Sequence, residues 1–262
     1  MTDMFDISER IAIVTGGSRG IGKMIATEFV RRGVRTYITS RKADQCNETA
    51  AELSAFGECV SIPHDLSNLE EIKSFVNEMS EREDKIDILI NNAGASWGEP
   101  IDEYSEKGWD KVMDTNVKGV FFLTQKLLPL LRKSGTAEDP SRVINIGSID
   151  GIKTGLFDAF SYGPSKAALH HLTRVLAASL VRENIIVNAI APGPFPTWML
   201  STGVGGGGDI DIDWSEVGNS NPRGRVGTAE DIAGLAIFLS SRAGAYTVGQ
   251  TITCDGGVVA SS

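Results

Sequence analysis

Tyr162 and Lys166 stand four residues apart at the head of a stretch with helical apolar spacing that ends near Arg182. Residues at that separation share a helix face, so the two side chains can point into one site. Carbonyl reduction needs such a pair. A phenol with a pKa of about 10 is a poor acid–base group at neutral pH until a nearby ammonium favours its phenolate. Taken alone, a Tyr four residues before a Lys is common and is usually a surface accident. Ser148, however, follows directly on the apolar run 142–146, and the C-terminal end of a strand is where a parallel sheet places its ligands. His64, His170 and His171 make no triad with that serine, because no acid stands at a partnering spacing; they read as surface or packing residues. No group of side chains has metal-ligand spacing, so no metal is expected.

A second constellation lies near the N-terminus. The apolar run Ile11–Thr15 leads straight into Gly16-Gly17-Ser18-Arg19-Gly20-Ile21-Gly22 and then a helical pattern. Glycines there let the backbone approach a pyrophosphate, and free N–H groups at the helix start bind it. The plain alternative is a tight turn with nothing bound, but the position directly after the first strand favours a dinucleotide. An acidic residue about 20 positions beyond the glycines would pair with the ribose hydroxyls of NAD. The chain offers Thr39-Ser40-Arg41-Lys42 instead. Arg41 can donate two hydrogen bonds to a 2′-phosphate, Ser40 can add a hydroxyl, and Arg19 could close from the other side. Asp44 follows, but an acid in a first helical turn answers the helix dipole. The expected cofactor is therefore NADPH/NADP rather than NAD. The alternative for Arg41 is a solvated charge at a helix start.

For these groups to meet, the intervening elements must form a sheet. Apolar runs at 11–15, 35–39, 58–63, 86–91, 142–146, 185–190 and 250–254 alternate with helical patterns, such as Ile72, Phe75, Val76 and Met79. Strands apolar on both faces and separated by helices imply a parallel sheet covered on both sides. The expected class is α/β, a Rossmann-like doubly wound sheet. No repeat or Pro/Ser-rich linker divides the 262 residues, so a single domain is expected. Residues 134–141 read as a surface loop. The longer segment 197–225 combines glycines 205–208 and Asp209, Asp211 and Asp213 with Trp198, Met199, Leu200 and Trp214. It reads as a lid over an apolar substrate, with a plain surface loop as the alternative.

Composition narrows the partners. Twenty-five basic against thirty-four acidic residues leave a net charge of −9, which argues against a nucleic-acid footprint or an anionic membrane surface. Cys46, Cys59 and Cys254 are too few and too scattered for a disulfide framework, which suits a reducing compartment. No stretch approaches the ~18 apolar residues of a membrane span. The acidic start, with Asp3, Asp6 and Glu9, is unlike a secretory leader. The expected location is the cytoplasm.

Taken together, Thr15-Gly16 to Gly22, Asp65-Leu66, Asn91-Asn92-Ala93-Gly94, Asn116, Ser148, Tyr162 with Lys166, and Pro192-Gly193 resemble the short-chain dehydrogenase/reductase family over nearly the whole chain. Within it the chain is most similar to the NADPH-dependent 3-oxoacyl-[acyl-carrier-protein] reductases. Asn91 to Gly98 and Pro192 to Pro196 are in the style of the branch associated with rhamnolipid synthesis. The resemblance implies a ketone reductase acting on a 3-oxoacyl thioester. By it, Tyr162 would protonate the carbonyl oxygen, while Lys166 would hold the nicotinamide ribose and lower the phenol pKa. Ser148 would hydrogen-bond the substrate carbonyl, and Asn116 would support a water that relays protons to Lys166. Asp65, with the Leu66 backbone beside it, would take the adenine amino group. Asn92, Ala93 and Gly94 would line the adenosine ribose, and Pro192, Gly193, Phe195 and Thr197 the nicotinamide end. The resemblance also implies a homotetramer.

Two departures from the family pattern bear on the substrate. The spacing from Ser148 to Tyr162 is one residue longer than in the commonest form, so the loop 149–161 is expected to be remodelled. Phe195 replaces a small aliphatic residue. Alternatives therefore stay open: another ketone (small cyclic, sugar-derived or polyketide), or a cofactor-binding scaffold or sensor without catalysis.

Overall fold

Ile13 and Val14, Leu89 and Ile90, and Val143 and Ile144 are adjacent pairs in which both side chains are buried. Neighbours along a strand point to opposite faces, so these strands need cover on both sides. The computed structural model describes residues 3–155, 158–201 and 212–262. In it the strands are β1 (Ile11–Thr15), β2 (Arg35–Thr39), β3 (Cys59–Ser61), β4 (Ile88–Asn91), β5 (Ser141–Ile146), β6 (Ile185–Pro192) and β7 (Thr251–Cys254). They form one parallel sheet in the order β3-β2-β1-β4-β5-β6-β7. Each apolar run has become a strand, the first two with the expected ends and the other five with shifted ones. Ile86, for example, donates its N–H to the Leu130 carbonyl at 3.2 Å rather than to a neighbouring strand.

The helices are α1 (Gly20–Arg31), α2 (Ala43–Leu53), α3 (Leu69–Arg82), α4 (Glu106–Met113), α5 (Val120–Ser134), α6 (Tyr162–Leu180), α7 (Trp198–Ser201), α8 (Trp214–Ser220) and α9 (Ala229–Ser240). Ile25, Phe29 and Val30 of α1 and Ile232 and Ala236 of α9 pack on Val14, Ile90, Ile144 and Ile190. On the opposite face, Phe75 of α3, Leu127 of α5 and Ala177 of α6 pack on Ile13, Leu89, Val143 and Val187. Strand order reverses between β1 and β4, and open α/β sheets bind their ligands at the carboxyl ends beside such a reversal.

A polar row crosses the second layer. Asn91 of β4 and Asn145 of β5 are opposite each other in register. The Asn91 amide donates to Thr124 Oγ1 at 3.2 Å and to Asn145 Oδ1 at 2.9 Å. The Asn145 amide in turn donates to Thr173 Oγ1 at 2.9 Å. The row ties two strands to α5 and α6 just beneath the carboxyl ends of the strands.

Candidate active site

The carboxyl ends of β1, β2, β4, β5 and β6 open onto a cavity of about 760 Å³. Every residue expected to hold the dinucleotide lines it: Gly16, Ser18, Arg19, Gly20 and Ile21 of the glycine loop, Ser40 and Arg41, Asp65 and Leu66, Asn92, Ala93 and Gly94, and Pro192, Gly193, Phe195 and Thr197, with Tyr162 and Lys166. The glycine loop fits a pyrophosphate. Gly16 and Gly20 have φ of +63° and +54°, and a Cβ on Gly16 would meet Asn92 Nδ2 at 2.8 Å. Lys23 donates its N–H to the Arg19 carbonyl at 3.2 Å, and Arg19 caps α1 with no side-chain hydrogen bond. The N–H groups of Gly20, Ile21 and Gly22 are therefore the unmet donors of a helix start, a ready anion site.

The end of β2 fits a further phosphate. Lys23 and Arg35 are neutralised by Glu52 and Glu58, whereas Arg19 and Arg41 make no ion pair among the described residues. Burial pushes the Arg19 guanidinium down, and the Arg41 charge adds to that. Arg19 also stacks 4.0 Å from the centroid of the Trp198 ring, so the glycine loop is braced against α7. Two adjacent cations without carboxylates favour an anion between them.

Ser148 follows β5 and heads the short turn Ile149–Gly151. Its Oγ accepts the Asp150 N–H at 3.1 Å, which leaves the hydroxyl proton to be donated. Tyr162 opens α6, and Lys166, only 4% exposed, lies one turn along. The ammonium Nζ donates to the Ile146 carbonyl at 2.9 Å and lies 5.6 Å from the Tyr162 ring centroid. Burial pushes the Tyr162 phenol up to about 12, with a hydrogen bond to Ser148 working the other way and the Asp150 charge adding to the rise. Burial pushes Lys166 down to about 8. Burial outweighs every other influence on the phenol here. The ammonium is turned to Ile146, and desolvation keeps the phenol protonated. A protonated phenol beside a hydroxyl donor suits delivery of a proton to a carbonyl oxygen.

Several expected residues also have partners within the protein. Asn116 is fully buried in a π-helical turn, Asp114–Gly119, and is absent from the cavity lining. Its Oδ1 accepts the Ala95 N–H at 2.8 Å, and its amide donates to the Ala95 carbonyl and Ser165 Oγ, both at 2.9 Å. Its side chain is fully engaged, so a proton relay through it would use main-chain groups. Asn92 spends its amide on the Thr15 and Gly16 carbonyls, at 2.9 and 3.2 Å. Asp65 Oδ1 accepts from the backbone and hydroxyl of Ser67. The Phe195 ring is 2% exposed in the apolar core over Gly227, where a Cβ would overlap it. Its size therefore serves packing as well as the cavity wall.

Asp150 escaped the sequence reading, and Thr15 and His170 were named there without the contacts they make. Thr15 Oγ1 accepts the N–H groups of Asn92 and Ala93, both at 2.8 Å, and joins the glycine loop to β4. Asp150 lines the cavity two residues beyond Ser148. His170, read as a surface or packing residue, is buried under the turn that bears Ser148. A Cβ on Gly147 would overlap its Nε2, and one on Gly151 would meet its Cε1 at 2.8 Å. The glycines flanking Ser148, with His170 four residues after Lys166, were the available signal. His64 also lines the cavity and is held by Glu71 and Glu78. Of the segment 197–225 read as a lid, residues 202–211 lie outside the described residues, including glycines 205–208, Asp209 and Asp211. Met199, Leu200, Ile212 and Val217 from its described parts line the cavity.

A family model described as Enoyl-(Acyl carrier protein) reductase matches residues 16–259. The chain is 48% identical to the rhamnolipids biosynthesis 3-oxoacyl-[acyl-carrier-protein] reductase of Pseudomonas aeruginosa, covering 98% of this chain and 99% of that one. The chain belongs to the short-chain dehydrogenase/reductase family. As a member it is an oxidoreductase. A solved structure described as a Pseudomonas aeruginosa RhlG/NADP active-site complex superposes with a TM-score of 0.92 at 47% identity, covering 99% of this chain and 100% of the other. Gluconate 5-dehydrogenase of Gluconobacter oxydans is 32% identical over 99% of this chain and 98% of its own length. Family members thus include proteins named for acyl and for sugar-acid substrates.

Proposed function

We propose that this protein is an NADPH-dependent reductase that converts a ketone, foremost a 3-oxoacyl thioester, to the secondary alcohol. The observation that carries this reading is one cavity joining an anion-binding glycine loop to Ser148, Tyr162 and Lys166, in a chain 48% identical to a 3-oxoacyl reductase. Bound NADPH would supply the hydride. Ser148 donates a hydrogen bond to the substrate carbonyl and keeps its proton, and Tyr162 gives that oxygen the one proton that completes the alcohol. Lys166 holds the nicotinamide ribose and, as an ammonium, steadies the phenolate left behind. Asn116 fixes the Ala95 backbone and Ser165 beside that pair. Arg41, Arg19 and Ser40 take the 2′-phosphate; Asp65 and Leu66 take the adenine. Pro192, Gly193 and Thr197 shape the nicotinamide end.

The chain works as one Rossmann-fold domain, assembled as a homotetramer in the cytoplasm. Three unpaired cysteines support that location, and no helix among the described residues is long and apolar enough to cross a membrane. A sugar-derived ketone is the second reading, favoured by the gluconate 5-dehydrogenase likeness. The test is turnover of a panel of β-keto thioesters, ketoses and cyclic ketones with NADPH and with NADH. Thioesters with NADPH are expected to rank first. Tyr162→Phe should lower kcat by about 10²–10⁴-fold with NADPH affinity nearly unchanged. Equal turnover by the Phe variant, or a preference for NADH, would overturn the reading.

A further inference from the structure

Asp150 is a carboxylate in the cavity that the proposed chemistry leaves without a task. It lies in the turn Ile149–Gly151, and its backbone N–H is fixed to the Ser148 oxygen at 3.1 Å. Its carboxylate rests against Gly155, where a Cβ would meet the carboxyl carbon and both oxygens at 3.3–3.4 Å, and Gly155 lines the same cavity. Asp65, Asp139 and Asp231 all accept hydrogen bonds through their carboxylates. Among the described residues no donor reaches the carboxylate of Asp150. Burial raises it while Lys153 pulls it down, and its charge is felt at Tyr162. Among the described residues it is a carboxylate without a protein donor, beside the hydroxyls that would meet the reacting carbonyl.

We infer that Asp150 is a specificity-determining residue: the site takes ketones whose neighbouring group is an uncharged ester, thioester or amide and turns away the matching keto acids. The inference rests on the reductase reading. A carboxylate next to the carbonyl would stand close to that of Asp150, which is partly buried, and like charges repel more there than in water. An amide N–H or hydroxyl on the substrate would instead find a charged acceptor. Of the cations that line the cavity, Arg19, Arg41 and Lys42 belong to the glycine loop and the end of β2, and Lys153 and Lys166 stand nearer in the chain to Asp150 and Tyr162. Lys166 is committed to the Ile146 carbonyl at 2.9 Å, and Lys153, on the cavity wall, offsets Asp150 only in part. Ile149, Met199, Leu200, Val217 and Val258 supply an apolar wall suited to an acyl chain.

The test compares kcat/KM for matched pairs at saturating NADPH: the N-acetylcysteamine thioester of acetoacetate against acetoacetate, and methyl levulinate against levulinate. The intact protein should favour each neutral member by about tenfold or more. Asp150→Asn should shrink the ratio to within about threefold, and Lys153→Gln should widen it. A ratio unchanged in Asp150→Asn, or an acid preferred by the intact protein, overturns the inference. If only the levulinate pair turns over, the thioester reading fails while the ratio still judges Asp150. If neither pair turns over, calorimetry of hexanamide against hexanoate on the NADP-loaded protein decides. Tighter amide binding that Asp150→Asn abolishes supports the inference, and equal binding or none overturns it.

Discussion

Lys166 carries a charge that its surroundings oppose, and that makes it a sensitive reporter. With its ammonium pushed down to about 8 by burial, it is charged at neutral pH and neutral well above that value. If the ammonium must hold the ribose, kcat/KM for NADPH stays level below pH 8 and falls about tenfold per unit above it. Tyr162, at about 12, keeps its proton across that range and adds no limb. A level profile to pH 10 would contradict the role given to Lys166. Arg41 offers a separate check. Losing a charge-assisted partner costs about 1.5–3 kcal/mol, so Arg41→Ala should weaken NADPH by about one to two decades and leave NADH little changed. Fluorescence titration with both cofactors measures this, and equal losses would rule out the 2′-phosphate assignment. These residues were legible because their types and spacing are local. The engagement of the Asn116 amide with Ala95 and Ser165 was not, because both partners are far away in the chain.

At the scale of elements, the turn Gly147–Gly151 sits on α6 through His170. Burial foremost, then the Lys166 and Arg174 charges, push that imidazole down to about 4 against a hydrogen bond to the Gly151 backbone. The unfolded chain takes up this proton below about 6.5, whereas the folded protein resists until about 4. His170 therefore leaves stability intact above pH 6.5 and drains it as pH falls, by roughly 3 kcal/mol once pH 4 is reached. Urea midpoints should fall less steeply between pH 6.5 and 4.5 in His170→Gln than in the intact protein. Parallel slopes would dismiss this account. The strands were legible because Ile, Val and Leu run along them on both faces. The seat beneath Ser148 was hidden, because two glycines announce a turn without naming the ring that fills it.

The whole molecule leaves apolar groups uncovered on several sides. Trp109 on α4, Val175 on α6 and Tyr246 ahead of β7 are exposed, and β7 is the outer strand of the sheet, with an open edge. Symmetric copies would cover such surfaces. Light scattering at micromolar concentration should give four times the chain mass, and a monomer would refute the tetramer. The sheet itself followed from alternating strand and helix patterns. In 197–225 the tryptophans and the attachment beside Pro192–Thr197 pointed to a lid, and the described residues Met199, Leu200, Ile212 and Val217 line the cavity.

The row Thr124–Asn91–Asn145–Thr173 has a consequence for assembly. Aliphatic strands distinguish one alignment from the next poorly, since any neighbour serves as a packing partner. Slipping β4 by one residue against β5 would turn Asn91 to the other face of the sheet. Its amide and that of Asn145 would then be stranded in hydrocarbon, at about 1–3 kcal/mol for each orphaned group. The four polar side chains thus act as a key that only one alignment turns. The native alignment is thereby favoured over its neighbours, and with it the single arrangement of strand ends that forms the reactive end of the sheet.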